Sequence, residues 1–290
     1  MIDVTAASKH SYTVNLSILF SELPLLERPA AAAAAGFTAA ELWWPFGLDH
    51  APARAELDGL RKAFTDAGVQ LTGLNFLDDL ATGVSKGTLS VPADSERFRE
   101  NVPVAVSLAE SLGTKALNAL YGNRVEGVDP AEQDELALEN LTLAARAAHS
   151  IGAVLLIEAL NKPEAPDYAL LSAAAAVEVV DKVNAATGLG NAKFLCDFYH
   201  LARNGEDLAA VIDDYADRFG HVQIADDPGR NEPGTGGLDF EDLFTRLTAA
   251  GYGQAGGSAA AGRIGLEYRP STGVSADSFE WLPRELRPSH

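Results

Sequence analysis

Sulfur is nearly absent from this chain: Cys196 is the only cysteine in 290 residues. One thiol cannot close an internal disulfide or build a thiolate metal site, and it fits a reducing cytoplasm. No segment approaches the ~20 apolar residues of a membrane span, and the opening MIDVTAASKHSYTVNLS lacks the apolar core of a signal peptide. The expectation is a soluble, cytoplasmic protein with no membrane partner. Basic residues are scarce as well. Lys and Arg number 22 against 41 Asp and Glu, a formal net charge of −19, with the acids spread along the chain. Such a surface repels phosphate backbones, so no nucleic acid partner is expected. A homo-oligomer is left open.

The chain is 47% hydrophobic and 22% charged, enough for one large core. Short β-rich runs alternate with longer Ala-, Leu- and Glu-rich runs from end to end, the pattern of a parallel sheet covered by helices. Eight strands are predicted, over residues 12–18, 39–44, 69–76, 115–121, 153–159, 193–198, 221–226 and 263–269. Helical patterns lie between them, for example at 25–36, 95–113, 132–152 and 240–251, several closing on glycine as helix C-termini do. Eight such units make a single α/β domain over 1–290, a (β/α)8 TIM barrel. A doubly wound sheet is the alternative, but no GxGxxG turn follows the first strand. Residues 1–11 read as a loose N-terminal arm, the tail after Pro270 as a C-terminal cap, and 252–262, within GYGQAGGSAAAGR, as a flexible Gly/Ala loop on the face opposite the site.

In a parallel barrel the reactive groups sit at the C-terminal ends of the strands. Strands five to eight place there Glu158 in LLIEAL, Asp197 in LCDFYH, Gln223 in HVQIAD and Glu267 in GLEYRP. Taken singly, each has an ordinary explanation as a cap, a pairing partner or an interior hydrogen bond. Taken together, three converging carboxylates would repel one another and raise their pKa values unless a cation joined them. Three carboxylates and an amide oxygen form a hard, all-oxygen set that suits Mg²⁺ or Mn²⁺. An octahedral ion would keep two positions for the adjacent oxygens of an α-hydroxycarbonyl substrate, whose carbonyl it would polarise. Gln223 then supplies a neutral ligand and avoids a fourth negative charge.

Three carboxylates and a divalent ion leave the site at about −1, so an anionic substrate needs nearby cations. Arg230 and Arg269 lie just beyond strands seven and eight, and Lys162 beyond strand five. Each could hold a substrate carboxylate, the arginines in bidentate fashion. Pairing with neighbouring acids such as Asp226, Asp227 or Glu232 is the equally open alternative.

The segments NLSILFSELPLLERPAAAAAAGF, ELWWPF, LNALYGNR, LLIEALN, CDFYH, GHVQIADDPGRNEPGTG and GLEYRPS together resemble the hydroxypyruvate isomerase family of xylose isomerase-like TIM barrels, from about Asn15 to Pro270. The resemblance implies a reversible aldose–ketose type isomerisation of hydroxypyruvate to tartronate semialdehyde with one divalent metal ion. Glu158 and Glu267 would then be the catalytic acid/base pair as well as metal ligands, completed by Asp197 and Gln223. His200 resembles the substrate-contacting histidine of related sugar epimerases and Arg230 their substrate-binding arginine; Glu164 sits where they place a substrate-binding glutamate, but its ordinary reading as an exposed loop acid is favoured. The implied chemistry is a 1,2-proton transfer through a cis-enediolate, without nicotinamide or flavin.

Two departures bear on the substrate. Where many relatives have RHEP after strand seven, this chain has Arg230, Asn231, Glu232 and Pro233. Where many have a histidine late in strand four, it has Asn118, which can donate a hydrogen bond but cannot act as an acid at neutral pH. Alternatives within the superfamily are a 2-oxo-tetronate isomerase and a ketose 3-epimerase. A hydride shift would call for a second ligand set. A repair nuclease would need clustered histidines and a basic groove. Outside catalysis, the alternative is a silent sugar-binding barrel.

Overall fold

The β-rich runs form short strands and the runs between them form helices, two of them after the sixth strand, Phe198–Arg203 and Leu208–Tyr215; among the described residues only 3-10 turns follow the eighth. In the computed structural model, which describes residues 4–80, 86–253 and 262–288, the strands are β1 Ser11–Asn15, β2 Ala39–Leu42, β3 Gln70–Asn75, β4 Ala116–Asn118, β5 Val154–Glu158, β6 Ala192–Asp197, β7 Phe219–Ile224 and β8 Arg263–Leu266. They are parallel and close in sequence order into an eight-stranded barrel, sealed where β1 pairs β8 from Ser11 with Arg263 to Val14 with Leu266.

Local chemistry sets the element ends. The run predicted over 12–18 stops at Asn15, because Asn15 Oδ1 accepts the Ser17 N–H at 2.9 Å and its carbonyl accepts that of Leu19. This Asx-type turn diverts the chain out of the sheet. The helix Ser95–Leu112 ends at Gly113 with φ of 72°, where a Cβ would be strained. Pro130 opens Pro130–Ser150 behind the cap Asp129, Ser172 caps Ala173–Thr187, and Asp239 caps Phe240–Ala249. The run predicted as one helix over 25–36 is a 3-10 turn, Leu25–Glu27, followed by the helix Arg28–Ala34.

From residue 4 onward the expected loose arm over 1–11 is a correction; residues 1–3 lie outside the described residues. Val4–Ala7 is helical, Ala6, Ala7 and His10 are buried, and the Tyr12 hydroxyl donates to the Ala7 carbonyl at 2.9 Å. Apolar contact and this hydrogen bond tie these residues down. At the other end Phe279 and Leu282 are fully buried, with the Phe279 ring 4.9 Å from that of Phe37. The centre of the expected Gly/Ala loop, residues 254–261, lies outside the described residues. Its flanks, Gly253 and Gly262, approach so closely that a Cβ on Gly262 would sit 2.8 Å from Gly253 Cα. Gly262 leads into β8 at its N-terminal end, Arg263, on the face away from the strand ends that carry Glu158 and Asp197.

The main core fills the space between sheet and helices. Inside the barrel only a small apolar cluster forms, from Ala116, Val154, Leu156 and Leu195. Much of the remaining interior is polar: Asn15, Glu41, His221 and Gln223 are all buried there and hydrogen-bonded. The site stands on this network. Among the described residues no helix is long and apolar enough to cross a membrane.

Candidate active site

Parallel register brings the strand-end acids together. Glu158 is the last residue of β5 and Asp197 the last of β6; Gln223 is in register with Asp197; Glu267 follows the last residue of β8, its N–H still bonded to the Ile224 carbonyl at 3.2 Å. One ligand atom each from Glu158, Asp197, His200 and Glu267 lies within 4.8 Å of the others, and all four residues are buried.

Each carboxylate is oriented by donors. Glu158 Oε2 accepts from Asn118 Nδ2 at 2.9 Å. Asp197 Oδ1 caps the helix Phe198–Arg203 by accepting the His200 N–H at 3.0 Å. Glu267 Oε1 accepts from Asn15 Nδ2 at 2.8 Å and Trp43 Nε1 at 2.6 Å, and its Oε2 accepts from Arg230 Nη2 at 2.9 Å.

These donors do not neutralise the cluster. Burial, then the charges of Glu267 and Asp197, raise the Glu158 carboxyl well above its usual range. Burial likewise raises Asp197, against the Arg230 charge, and pushes Glu267 up to about 8. Negative charge in excess of its compensation is the condition a divalent cation relieves. The donor chemistry fits such an ion, because Gln223 Oε1 is buried without a hydrogen-bond partner while its Nε2 donates to Glu41 Oε1 at 2.7 Å. Glu158, Asp197, Glu267 and Gln223 could hold a hard cation through oxygen alone.

His200 is distinguished from these oxygens by its tautomer. The Asn161 backbone N–H, which can only donate, points at His200 Nδ1 from 3.1 Å. A ring made neutral by burial, then by the charges of Arg230 and Lys86, therefore carries its proton on Nε2. That Nε2–H sits 4.0 Å from Glu158 and 3.9 Å from Asp197. It faces the acids as a donor, not as a lone pair for a metal.

Above the cluster opens a cavity of about 490 Å³, whose walls include Trp43, Lys86, Glu164, His200, Arg230 and Arg269. Arg230, with φ of 53°, is buried and spends its charge on Glu267 and, at 3.4 Å, on Glu164, with its guanidinium 5.2 Å from the Tyr199 ring centre. It does not pair with Asp226, Asp227 or Glu232. Asp226 instead caps the N–H groups of Gly234, Gly236 and Leu238, Asp227 pairs with Arg203, and Glu232 binds Ser271.

Arg269 is an exposed residue on the cavity wall. Lys162 is exposed and does not line this cavity. Glu164 is an exposed turn residue on the cavity wall, as a loop acid would be, but it has partners: burial works against its charge, while the Tyr199 hydroxyl at 2.6 Å and Arg230 hold its carboxyl below the usual range. Asn231 takes no part in the cavity and donates to the Arg269 carbonyl at 2.7 Å.

Sequence reading missed four residues that shape this site. Glu41 and Asn15 lie in short apolar strands, where a polar residue is the same signal that singled out Gln223. His221, near the start of β7, points into the barrel, its Nε2 2.7 Å from Glu41 Oε2. Lys86 belongs to a segment with no periodic pattern, and only the fold brings it to the cavity.

The profile of the xylose isomerase-like TIM barrel family matches residues 29–285. A provisionally named hydroxypyruvate isomerase of Streptomyces coelicolor is 65% identical over 95% of this chain and 96% of its own. The hydroxypyruvate isomerase of Escherichia coli is 31% identical over 93% of this chain and 97% of its own. The 2-oxo-tetronate isomerase of Cupriavidus necator is 33% identical over 93% and 96%. Matches that run through nearly the whole barrel place the chain in the hydroxypyruvate isomerase family of the xylose isomerase-like TIM barrels, and it is an isomerase of the aldose–ketose type.

Proposed function

We propose that the enzyme interconverts hydroxypyruvate and tartronate semialdehyde, with Mg²⁺ or Mn²⁺ held by Glu158, Asp197, Gln223 and Glu267. The observation that carries this reading is the convergence of three buried carboxylates beside an amide oxygen with no partner of its own. A bound divalent ion would polarise the substrate carbonyl and stabilise negative charge on the adjacent oxygens.

The protein side of the reaction is a proton relay. One of Glu158 and Glu267 removes a proton from C3 of hydroxypyruvate, giving a cis-enediolate, and a proton is returned to C2, while the hydroxyl proton moves from the C3 oxygen to the C2 oxygen. Burial favours this use of the two glutamates, because raised carboxyl pKa values bring acid and base forms closer in energy near neutral pH. The His200 Nε2–H can donate to a substrate oxygen. Lys86 and Arg269, cations on the cavity wall, are placed to receive the substrate carboxylate, a role that the Arg230 ion pairs leave to them. Trp43, Leu120 and Leu160 supply apolar wall that limits water.

A second reading, action on 2-oxo-tetronate, is favoured by the cavity volume of about 490 Å³, which is ample for a fourth carbon. Both are tested by incubating metal-loaded enzyme with each substrate in deuterated water and following product and deuterium at the carbon that gains a proton. Turnover of hydroxypyruvate with deuterium incorporation is expected. Turnover of 2-oxo-tetronate alone would replace the first reading with the second, and product formed without any deuterium would sink the proton-transfer scheme.

A further inference from the structure

Glu41 lies on β2 inside the barrel, 3% exposed, yet it is not among the acids that converge on the cavity. Its Oε1 accepts from Gln223 Nε2 at 2.7 Å and from Asn15 Nδ2 at 3.3 Å, and its Oε2 lies 2.7 Å from His221 Nε2. Asn15 Nδ2 also donates to Glu267 Oε1 at 2.8 Å. Room for this network comes from two glycines. A Cβ on Gly265 would stand 2.7 Å from Glu41 Oε1, 2.8 Å from Gln223 Cγ and 2.8 Å from His221 Nε2, and one on Gly73 would stand 3.1 Å from Glu41 Cβ. Bulky branched side chains ordinarily fill these interior layers.

A primary amide has two nearly isosteric ends, and rotation by a half turn exchanges an oxygen acceptor for an N–H₂ donor. Only the oxygen end can serve a cation. An ionised carboxylate accepts hydrogen bonds and cannot donate them, so whichever end of the Gln223 amide faces Glu41 must be nitrogen. The opposite end is then oxygen, and it is the Gln223 Oε1 that has no partner.

We infer that Glu41 is a positioning residue that locks the Gln223 amide with its oxygen toward the divalent ion. This rests on the proposed ligand set. Glu41 acts through the acceptor oxygen it presents to Gln223 Nε2 rather than through its charge, and His221 holds the other carboxylate oxygen so that Glu41 itself stays in place. Partners of this kind typically contribute about 10–100-fold in metal affinity.

The test is calorimetric titration of the metal-free full chain with Mn²⁺, comparing wild type, Glu41→Gln, Glu41→Asp, Gln223→Ala and the Glu41→Asp/Gln223→Ala double variant. Glu41→Gln still offers an oxygen to Gln223 Nε2, and its own N–H₂ can donate to His221 in the other tautomer. It should bind within about threefold of wild type, whereas Glu41→Asp, which keeps the charge but withdraws the carboxylate by one methylene, should bind about 10–100-fold more weakly. In the double variant Glu41→Asp should add little to the loss from Gln223→Ala, because both act through one amide.

A role through charge alone predicts the reverse order for the two single variants, and that result would overturn the inference. So would losses that add fully in the double variant, or an unchanged Glu41→Asp. Absence of Mn²⁺ binding in wild type would remove the ligand set itself, and the inference with it. If circular dichroism shows Glu41→Asp unfolded, Glu41→Met, which keeps the volume and lacks an acceptor, takes its place in the same cycle.

Discussion

Asp197 Oδ1 accepts the backbone N–H of His200 at 3.0 Å, so one carboxylate both caps the helix that carries His200 and turns its second oxygen toward the acid cluster. The two roles separate under substitution. Asp197→Asn keeps the capping oxygen and should leave the melting temperature nearly unchanged, while Mn²⁺ affinity falls by more than about tenfold, since even indirect partners of a metal contribute that much. Asp197→Ala should also lose about 1 kcal/mol of stability with the cap. Calorimetry and thermal melts read both, and an Asp197→Asn variant with wild-type metal affinity would remove Asp197 from the ligand set.

Glu158→Gln and Glu267→Gln should each lower turnover by ~10²–10⁴-fold or more, the usual contribution of a general acid or base. The metal-free fold of Glu158→Gln should keep its stability at neutral pH, because a carboxyl raised this far by burial already holds its proton in the native state, whereas Glu267→Gln also gives up the buried ion pair with Arg230 and should be less stable. Near-normal turnover with metal bound in either variant would exclude that glutamate as a proton-transfer group.

Stability of the metal-free enzyme should fall as pH rises. Glu267 is pushed up to about 8 in the folded state from an ordinary value of 4.5. A carboxyl raised on folding holds its proton in the native state and loses it in the unfolded one between these values, so the stability it contributes below the lower value is lost as pH climbs through the higher. Glu158 acts in the same direction. Melting temperatures after chelation should therefore decline from pH 5 to pH 8.5, about the window of that shift, and added Mg²⁺ or Mn²⁺ should raise them most at the alkaline end. Chelation should abolish activity and either ion restore it. A metal-free melting temperature that climbs across this range would contradict the charge assignment.

His200→Ala should reduce kcat/KM by roughly 10–100-fold, the worth of a hydrogen bond to a charged or developing oxyanion. Bound metal should be unchanged, because Nε2 carries a proton rather than a free lone pair. Kinetics together with metal content decide this: loss of the metal would make His200 a ligand, and unaltered kinetics would assign it to packing beside Tyr199, whose ring centre lies 5.6 Å away.

The alternation of β-rich and helical runs determined by itself a parallel sheet covered by helices, and the count of eight units with no GxGxxG turn favoured a barrel over a doubly wound sheet. It also marked Glu158, Asp197, Gln223 and Glu267, since a polar residue at the end of an apolar strand points to the one place in a barrel where polar groups gather. Glu41 carries the same mark in AELWW, but its partners Gln223 and His221 lie some 180 residues away in sequence, and only barrel closure brings β2 across from β7. The tertiary structure alone decided the proton position on His200, because the Asn161 N–H that fixes it comes from another turn. It decided the fate of Arg230 too, whose ion pairs with Glu267 and Glu164 span 37 and 66 residues. Sequence periodicity records which face a residue presents to its own neighbours. Which charges then meet across the barrel depends on strand register and loop return, and that is settled only when the whole sheet has closed.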